Sequence, residues 1–363
     1  MYRTVTLALV LAAAANAAPC TYDPNDHFLT TYLEAGGPAQ ALRNQYHNWM
    51  LTTLGAAPAW AQTPIKSLLI AGSHDAGTFG QSMSKLPDKW AVTQTHSILE
   101  QLCLGSRWFD VRLRQGTGNE WRIFHNNYLF ETGDESLEQF KRFIEDPAHH
   151  EEIVFVRMKL DGKDKSALLQ HWVQALVQNA VDQRRLPGPK RFVGGFGVLT
   201  PAEIHAAAQG PGGRIVLVEY PKDESAAGEN AKPWLFNYNE DQTGTFSNKV
   251  DYDKMRAAQT EALAAAKRDP AGEPFALWWT STGKAGNLNV RANTSKLWPA
   301  ANPDDSELER FYVEQGCSIG TFLIVDYFGD HGLQGQPQDV VMKIVMDHNA
   351  RSLNHRTPTP CTP

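Results

Sequence analysis

Four short segments of this chain carry side chains able to move protons and hold an anion. Gly72-Ser73-His74-Asp75-Ala76-Gly77-Thr78 sets an imidazole beside a carboxylate in a glycine-flanked turn. Arg107-Trp108-Phe109-Asp110-Val111-Arg112-Leu113 holds an acid and a guanidinium two residues apart. Phe124-His125-Asn126-Asn127 supplies a second imidazole, and Leu323-Ile324-Val325-Asp326-Tyr327 a carboxylate late in the chain. Brought to one place, this set suits phosphoryl transfer from an oxygen nucleophile. One imidazole takes the hydroxyl proton and the other protonates the departing alkoxide. The guanidinium offers two donors to phosphoryl oxygens as negative charge builds. A carboxylate behind the base holds its tautomer and stabilises the imidazolium.

Each segment also has a plainer reading. A His-Asp turn can cap a helix, and Asp110 and Arg112 can neutralise each other as an internal salt bridge. A lone strand histidine is usually a satisfied core residue, and an acid after a strand is often an N-cap. The chemical reading rests on their company.

Convergence requires elements that end at a common rim. Apolar, β-branched runs occur at Leu68–Ala71, Trp108–Leu113, Ile153–Leu160, Arg214–Tyr220, Phe275–Thr280 and Thr321–Tyr327, with a shorter one at Trp121–His125. Helix-period segments lie between several of them. Leu168–Ala180 repeats its apolar residues at i, i+4, and Ile98, Leu99 and Leu102 make a shorter stripe that Gly105 would stop. Strands alternating with helices predict an α/β fold with a mostly parallel sheet, and about seven strands favour a distorted (β/α) TIM-type barrel in a single domain. Such barrels build their sites at strand ends. Side chains alternate along a strand, so Phe109, Val111 and Leu113 face outer helices while Trp108, Asp110 and Arg112 face inward. Lys222–Asp251 reads as a long polar loop whose Trp234, Phe236 and Tyr238 rest against the barrel or reach toward a lipid.

The composition is that of a globular chain, 42% hydrophobic, and 34 basic against 40 acidic residues argue against nucleic acid as a partner. Arg3, the apolar run from Val5 to Ala15 and the small residues up to Ala18 have the order of a signal peptide, residues 1–18, leaving 19–363 as the barrel domain. The chain is therefore expected to be secreted. Four cysteines without a C-x-x-C spacing suggest disulfides. Cys20 with Cys361 and Cys103 with Cys317 is the expected pairing among three possible. Asn293-Thr294-Ser295 is a glycosylation sequon.

The order Gly-Ser-His-Asp-Ala-Gly-Thr, then Phe-Asp-Val-Arg, then His125 15 positions after Asp110, resembles the X-region of phosphatidylinositol-specific phospholipase C. Asn48-Trp49-Met50 and Val325-Asp326-Tyr327 resemble family segments too, so the likeness runs from about residue 45 to 330, dense at first and sparse later. It implies a distorted barrel and cleavage of a phosphodiester through a cyclic phosphate. It makes His74 the general base, His125 the general acid and Arg112 the phosphate clamp. Asp75 would support Arg112 or the phosphate side, Asp110 would orient His125, and Asp326 would back His74. Calcium-dependent members have a carboxylate where Arg112 stands, so the resemblance implies neither a metal nor a cofactor. Arg157 and Lys159 fit the basic residues that inositol-selective bacterial members carry on middle strands. Glu219 stands where a basic residue is expected, and Trp278 or Trp279 would wall a sugar ring, Trp279 being the residue assigned to the substrate.

The function expected is cleavage of phosphatidylinositol or its glycosylated anchors, by a monomer acting transiently at a membrane surface. Two other readings stand beside it. A related barrel acting on glycerophosphodiesters or sphingolipids would need a divalent ion. A non-catalytic exported binding protein would keep the barrel as a scaffold.

Overall fold

The computed structural model describes residues 20, 45–54, 59–79, 92–94, 96–187, 195–219, 230–237, 252–267, 274–280, 307–326 and 340–354. The described strands are β1 (Ile70–Ser73), β2 (Trp108–Gln115), β3 (Trp121–His125), β4 (Tyr128–Thr132), β5 (Ile153–Asp161), β6 (Arg214–Glu219), β7 (Leu235–Asn237), β8 (Ala276–Trp279) and β9 (Phe322–Val325). The described α-helices are α1 (Ile98–Cys103), α2 (Gly133–Ile144), α3 (Lys165–Leu176), α4 (Pro201–Ala206), α5 (Tyr252–Lys267), α6 (Glu307–Glu314) and α7 (Val340–Asn354). Seven strands pair in parallel in the order β7-β6-β5-β2-β1-β9-β8, and the β3–β4 hairpin adds antiparallel to β2.

This sheet is strongly curled. Adjacent strands lie about 4.8 Å apart, so in a flat sheet β5 and β9, three steps apart, would be separated by roughly 14 Å. Instead the rings of Phe155 on β5 and Phe322 on β9 meet with centroids 5.4 Å apart. The Arg157 guanidinium of β5 likewise lies 5.4 Å from the ring of Trp278 on β8, four steps along. The strands therefore wrap around a shared interior, as the expected barrel requires.

Alternation divides the side chains as anticipated. Trp108 and Phe155 fill the lower interior with Phe322 and Phe196, while Asp110, Arg112 and Arg157 occupy the upper part of the same face. Phe109, Val111 and Leu113 turn outward to a second cluster holding Phe140 and Phe143 of α2 and Leu169 and Trp172 of α3. The Phe109 and Phe140 rings meet edge to face at 5.2 Å. Helix α2 begins where Thr132 and Glu135 form a reciprocal capping box. Helix α1 stops as predicted at Gly105, whose φ of +108 favours glycine and where an added Cβ would strike the Met342 side chain at 2.8 Å.

Several expectations need correction. Cys20 bonds Cys103, with Cα atoms 5.5 Å apart, rather than Cys361, and Cys103 therefore does not bond Cys317, which is itself disulfide-bonded. Pairing depends on Cα atoms brought within bonding reach, which position near the chain ends does not report. The stretch Lys222–Asp251 is not all loop, because Lys232–Trp234 forms a 3-10 turn leading into β7. Phe236 is buried against Phe196, and Trp234 is half-buried with the Arg184 guanidinium 4.4 Å from its ring, so neither is an exposed lipid anchor. β4 was missed because it is solvated on one side, with Leu129 exposed. The signal segment 1–18, Tyr238, Cys361, the sequon at 293–295, Tyr220 and Tyr327 lie outside the described residues. Among the described residues, no helix is long and apolar enough to cross a membrane.

Candidate functional site

His74 follows β1 directly, its backbone N–H donating to the Val325 carbonyl of β9 at 2.9 Å. The chain then turns sharply, with Asp75 in the left-handed region at φ 44. The Ala76 N–H bonds the Asp110 carbonyl, and the Thr78 hydroxyl bonds the Asp75 carbonyl at 2.8 Å. Gln94 and Thr93 donate to the His74 carbonyl at 2.7 and 3.1 Å, bracing the turn from behind. Gly77 is required by packing, since a Cβ there would lie 2.7 Å from Ile123 of β3. The motif's glycine thus lets the strand that carries His125 approach the turn that carries His74.

The polar groups meet where β1, β3 and β9 end, against the middle of β2. His74 Nδ1 donates to Asp326 Oδ1 at 2.7 Å. This fixes the neutral tautomer with the hydrogen on Nδ1 and makes Nε2 the accepting nitrogen. That Nε2 lies 3.0 Å from Arg112 Nη2, a donor, and 3.3 Å from Asp75 Oδ2. His125 Nε2 lies 3.7 Å from the same Asp75 oxygen. The two imidazole nitrogens flank one carboxylate oxygen, so their separation cannot exceed the sum of those two distances, a span that admits one phosphoryl group. Arg112 lies beside His74 and Asp75, with Nε 2.5 Å from Asp75 Oδ1 and Nη2 2.8 Å from Asp110 Oδ2.

Burial disfavours the His74 imidazolium, but the carboxylates of Asp75 and Asp326 outweigh it and the opposing Arg112, raising the pKa above 6.5. Burial likewise works against the Asp110 carboxylate, yet Arg112 and Arg157 hold its pKa well below the usual range. Burial pulls against the Arg112 guanidinium as well, while Asp110 and Asp75 fix it as a cation. Lys159 has its pKa lowered, chiefly by partial burial and then by Arg112. His74, Asp75 and Asp110 place ligand atoms within 4.8 Å of one another, which by itself would suit a cation. The Arg112 guanidinium already bonds to both carboxylates and supplies the positive charge there.

The predicted residues assemble with three differences. Asp110 does not orient His125: its oxygens are taken by Arg112 and by Arg157 Nη1 at 2.6 Å, and the carboxylate near His125 is Asp75. Inward-facing guanidiniums on β2 and β5 compete for Asp110 because Asp110 pairs with Arg157 across those strands. Trp279 packs against Phe311 of α6 at 4.7 Å, while Trp278, one residue back and so on the opposite face, meets the His74 ring edge-on at 5.7 Å. Glu219 pairs beside Met158, in the outward register of β5, with Val218 beside Arg157 facing in. Arg157 is buried beside Asp110, and Lys159 pairs beside Arg112.

One positioning residue escaped the sequence reading. Arg114 stacks over the Phe124 ring at 4.1 Å, donates from Nη1 to the Asn126 carbonyl at 2.6 Å, and is tethered by Asp161 at 2.8 Å. It grips the chain on both sides of His125. Its place on β2, two residues beyond Arg112, was the available signal.

No family model matches the chain. Relatives are nevertheless found by sequence. The mouse PI-PLC X domain-containing protein 3 is 29% identical over 138 residues, covering 31% of this chain and 41% of that protein. The match thus spans about two-fifths of the length of the mouse, human and bovine forms. The 1-phosphatidylinositol phosphodiesterase of Staphylococcus aureus (strain Newman) is 23% identical over 275 residues, 72% of this chain and 83% of that one. Among solved structures, the phosphatidylinositol-specific phospholipase C of Listeria monocytogenes superposes with a TM-score of 0.59 at 16% identity, over 83% of this chain and 98% of its own. That of S. aureus gives 0.58 at 22% identity, over 84% and 97%. The resemblance carried by the histidine and arginine motifs is borne out: by sequence the chain's relatives are PI-PLC X domain proteins and a bacterial phosphatidylinositol phosphodiesterase, and its α/β barrel is the fold of phosphatidylinositol-specific phospholipase C.

Proposed function

We propose that this protein cleaves phosphatidylinositol-type phosphodiesters, in the lipid or its glycosylated anchors, through a cyclic phosphate and without a metal ion. The observation that carries this reading is the approach of both imidazole Nε2 atoms to one oxygen of Asp75, whose other oxygen pairs with Arg112. His74, with Nδ1 held by Asp326, takes the proton of a head-group hydroxyl next to the phosphate. That oxygen attacks phosphorus, and His125 protonates the departing alkoxide. Arg112 neutralises charge on the phosphoryl oxygens as it develops. In this reading the chain is exported, acts as a monomer and meets its substrate at a membrane surface.

A panel of phosphatidylinositol, glycerophosphodiester and sphingolipid substrates, each with and without chelator, tests it. Chelator-resistant release from phosphatidylinositol is expected. Release only from the other head groups, dependent on added magnesium or calcium, would sink it.

Two further outcomes follow. His74 must be neutral to act, so kcat/KM should fall as pH drops through its raised pKa, placing the acid limb above 6.5. Asp326→Asn removes one of the carboxylates that raise it, so the limb should move to lower pH while kcat falls by about 10- to 100-fold. A limb left in place would dissociate it from His74. Arg114→Met should lower kcat by about tenfold with little change in KM, because it loosens His125 rather than the phosphate clamp. A rise in KM alone would contradict that role.

A further inference from the structure

A second cluster of metal-ligating side chains lies at the opposite end of β2 from the phosphodiester site. We propose that, once its Cys20–Cys103 disulfide is reduced, the protein binds a zinc ion between Cys20, Cys103, His47 and His149. Ligand atoms of Cys20, His47 and His149 already lie within 4.8 Å of one another. His47 Nδ1 and His149 Nε2 stand 3.3 Å apart. Two imidazole nitrogens at about 2.0–2.1 Å from a tetrahedral zinc are separated by about that distance. The tautomer also fits. His149 Nδ1 lies 2.8 Å from the Phe143 carbonyl, which only accepts, so Nδ1 carries the hydrogen and the Nε2 lone pair faces His47. The His149 ring is further fixed by stacking on Phe143, with centroids 3.9 Å apart and planes 12° apart. A ligating histidine is typically oriented by this kind of second bond.

None of these groups takes part in the proposed phosphodiester cleavage. Arg107, just before β2 and next to the cluster, donates to the His47 carbonyl at 2.6 Å and precedes Arg112 by five positions, roughly 16 Å of extended chain. In the disulfide state the Cys20 sulfur is bonded to Cys103 and offers no thiolate. A dithiol reductant changes this: it delivers two electrons and two protons, closes to its own disulfide, and leaves two cysteine thiols. Their Cα atoms, 5.5 Å apart, allow both sulfurs to reach one ion. Each thiol then gives up its proton on binding. Two thiolates and two neutral imidazoles make a zinc complex of zero net charge. That suits this place, because the buried Arg107 is already matched by Glu152 at 2.7 Å and the ion adds no unbalanced charge. Zinc and the disulfide exclude each other, so the cluster distinguishes reduced from oxidised protein.

Cobalt(II) titration of the full chain reports both geometry and ligands. The reduced protein should develop the intense visible bands of tetrahedral cobalt with a thiolate-to-cobalt band in the near ultraviolet, saturate at one equivalent and bleach on adding zinc. The oxidised protein should show neither. Cys103→Ser, which keeps Cys20 as a thiol in air, should bind without reductant. Cys317→Ser should leave the reduced titration unchanged, and His47→Gln should weaken it by about 100-fold. A folded, reduced wild-type chain lacking the thiolate band would overturn the proposal, and so would a titration indifferent to His47→Gln. Should Cys103→Ser not fold, the reduced wild-type titration decides.

Discussion

His74→Ala and His125→Ala should each lower turnover of phosphatidylinositol by roughly 10² to 10⁴, the usual contribution of a positioned acid or base. The two losses should be separable by the leaving group. An alkoxide must be protonated as it departs, whereas a nitrophenolate leaves without help. On a nitrophenyl phosphodiester, His125→Ala should therefore recover most of its activity and His74→Ala should not. In the proposed mechanism His74 is the base, because its Nδ1 is bonded to Asp326 and a proton would go to Nε2. Kinetics on both substrates with both variants test the assignment. Equal losses on the activated substrate would reverse or dissolve the roles.

Arg112→Lys should lower kcat by about 10² to 10³, the cost of losing a fixed donor at a developing oxyanion. Arg112 donates to Asp110 Oδ2 from both Nε and Nη2, pairs with Asp75 Oδ1 and faces His74 Nε2 at 3.0 Å with the same plane of donors. A lysine keeps the charge but presents it as a single ammonium that cannot span those partners. Lysine is the informative substitution because a neutral residue would leave Asp75 buried without its guanidinium and Asp110 with Arg157 alone, costing about 3–5 kcal/mol of stability. Comparing kcat, KM and thermal midpoints of the lysine variant with wild type separates the two effects. A kcat within a few-fold of wild type would remove Arg112 from the chemistry.

Much of the site was legible because it depends on local rules. Alternation along a strand places Asp110 and Arg112 on the interior face once Phe109 and Val111 are assigned to the helices. A His-Asp turn directly after an apolar strand must sit at the carboxyl end of a parallel sheet. What stayed hidden depends on which strands face each other. Asp110 could not be matched with Arg157 until β2 and β5 were known to be neighbours in that register. Trp278 and Trp279 are chemically alike, and only the pairing of Trp278 with Ile324 decides which points inward. The three residues of β7 make no apolar run of their own, and the Cys20–Cys103 bond joins segments 83 positions apart. Arg114 carries no motif, and its hold on the His125 turn appears only once the hairpin is folded back on β2.

The proposed mechanism requires both imidazoles to handle one phosphorus, with a substrate hydroxyl, not water, as first nucleophile. Phosphorus-31 NMR of phosphatidylinositol turnover in the presence of chelator reports this directly. A five-membered cyclic phosphodiester resonance should appear first, with any phosphomonoester formed later from it. A monoester as the first product, or a reaction that stops with chelator, would contradict the account.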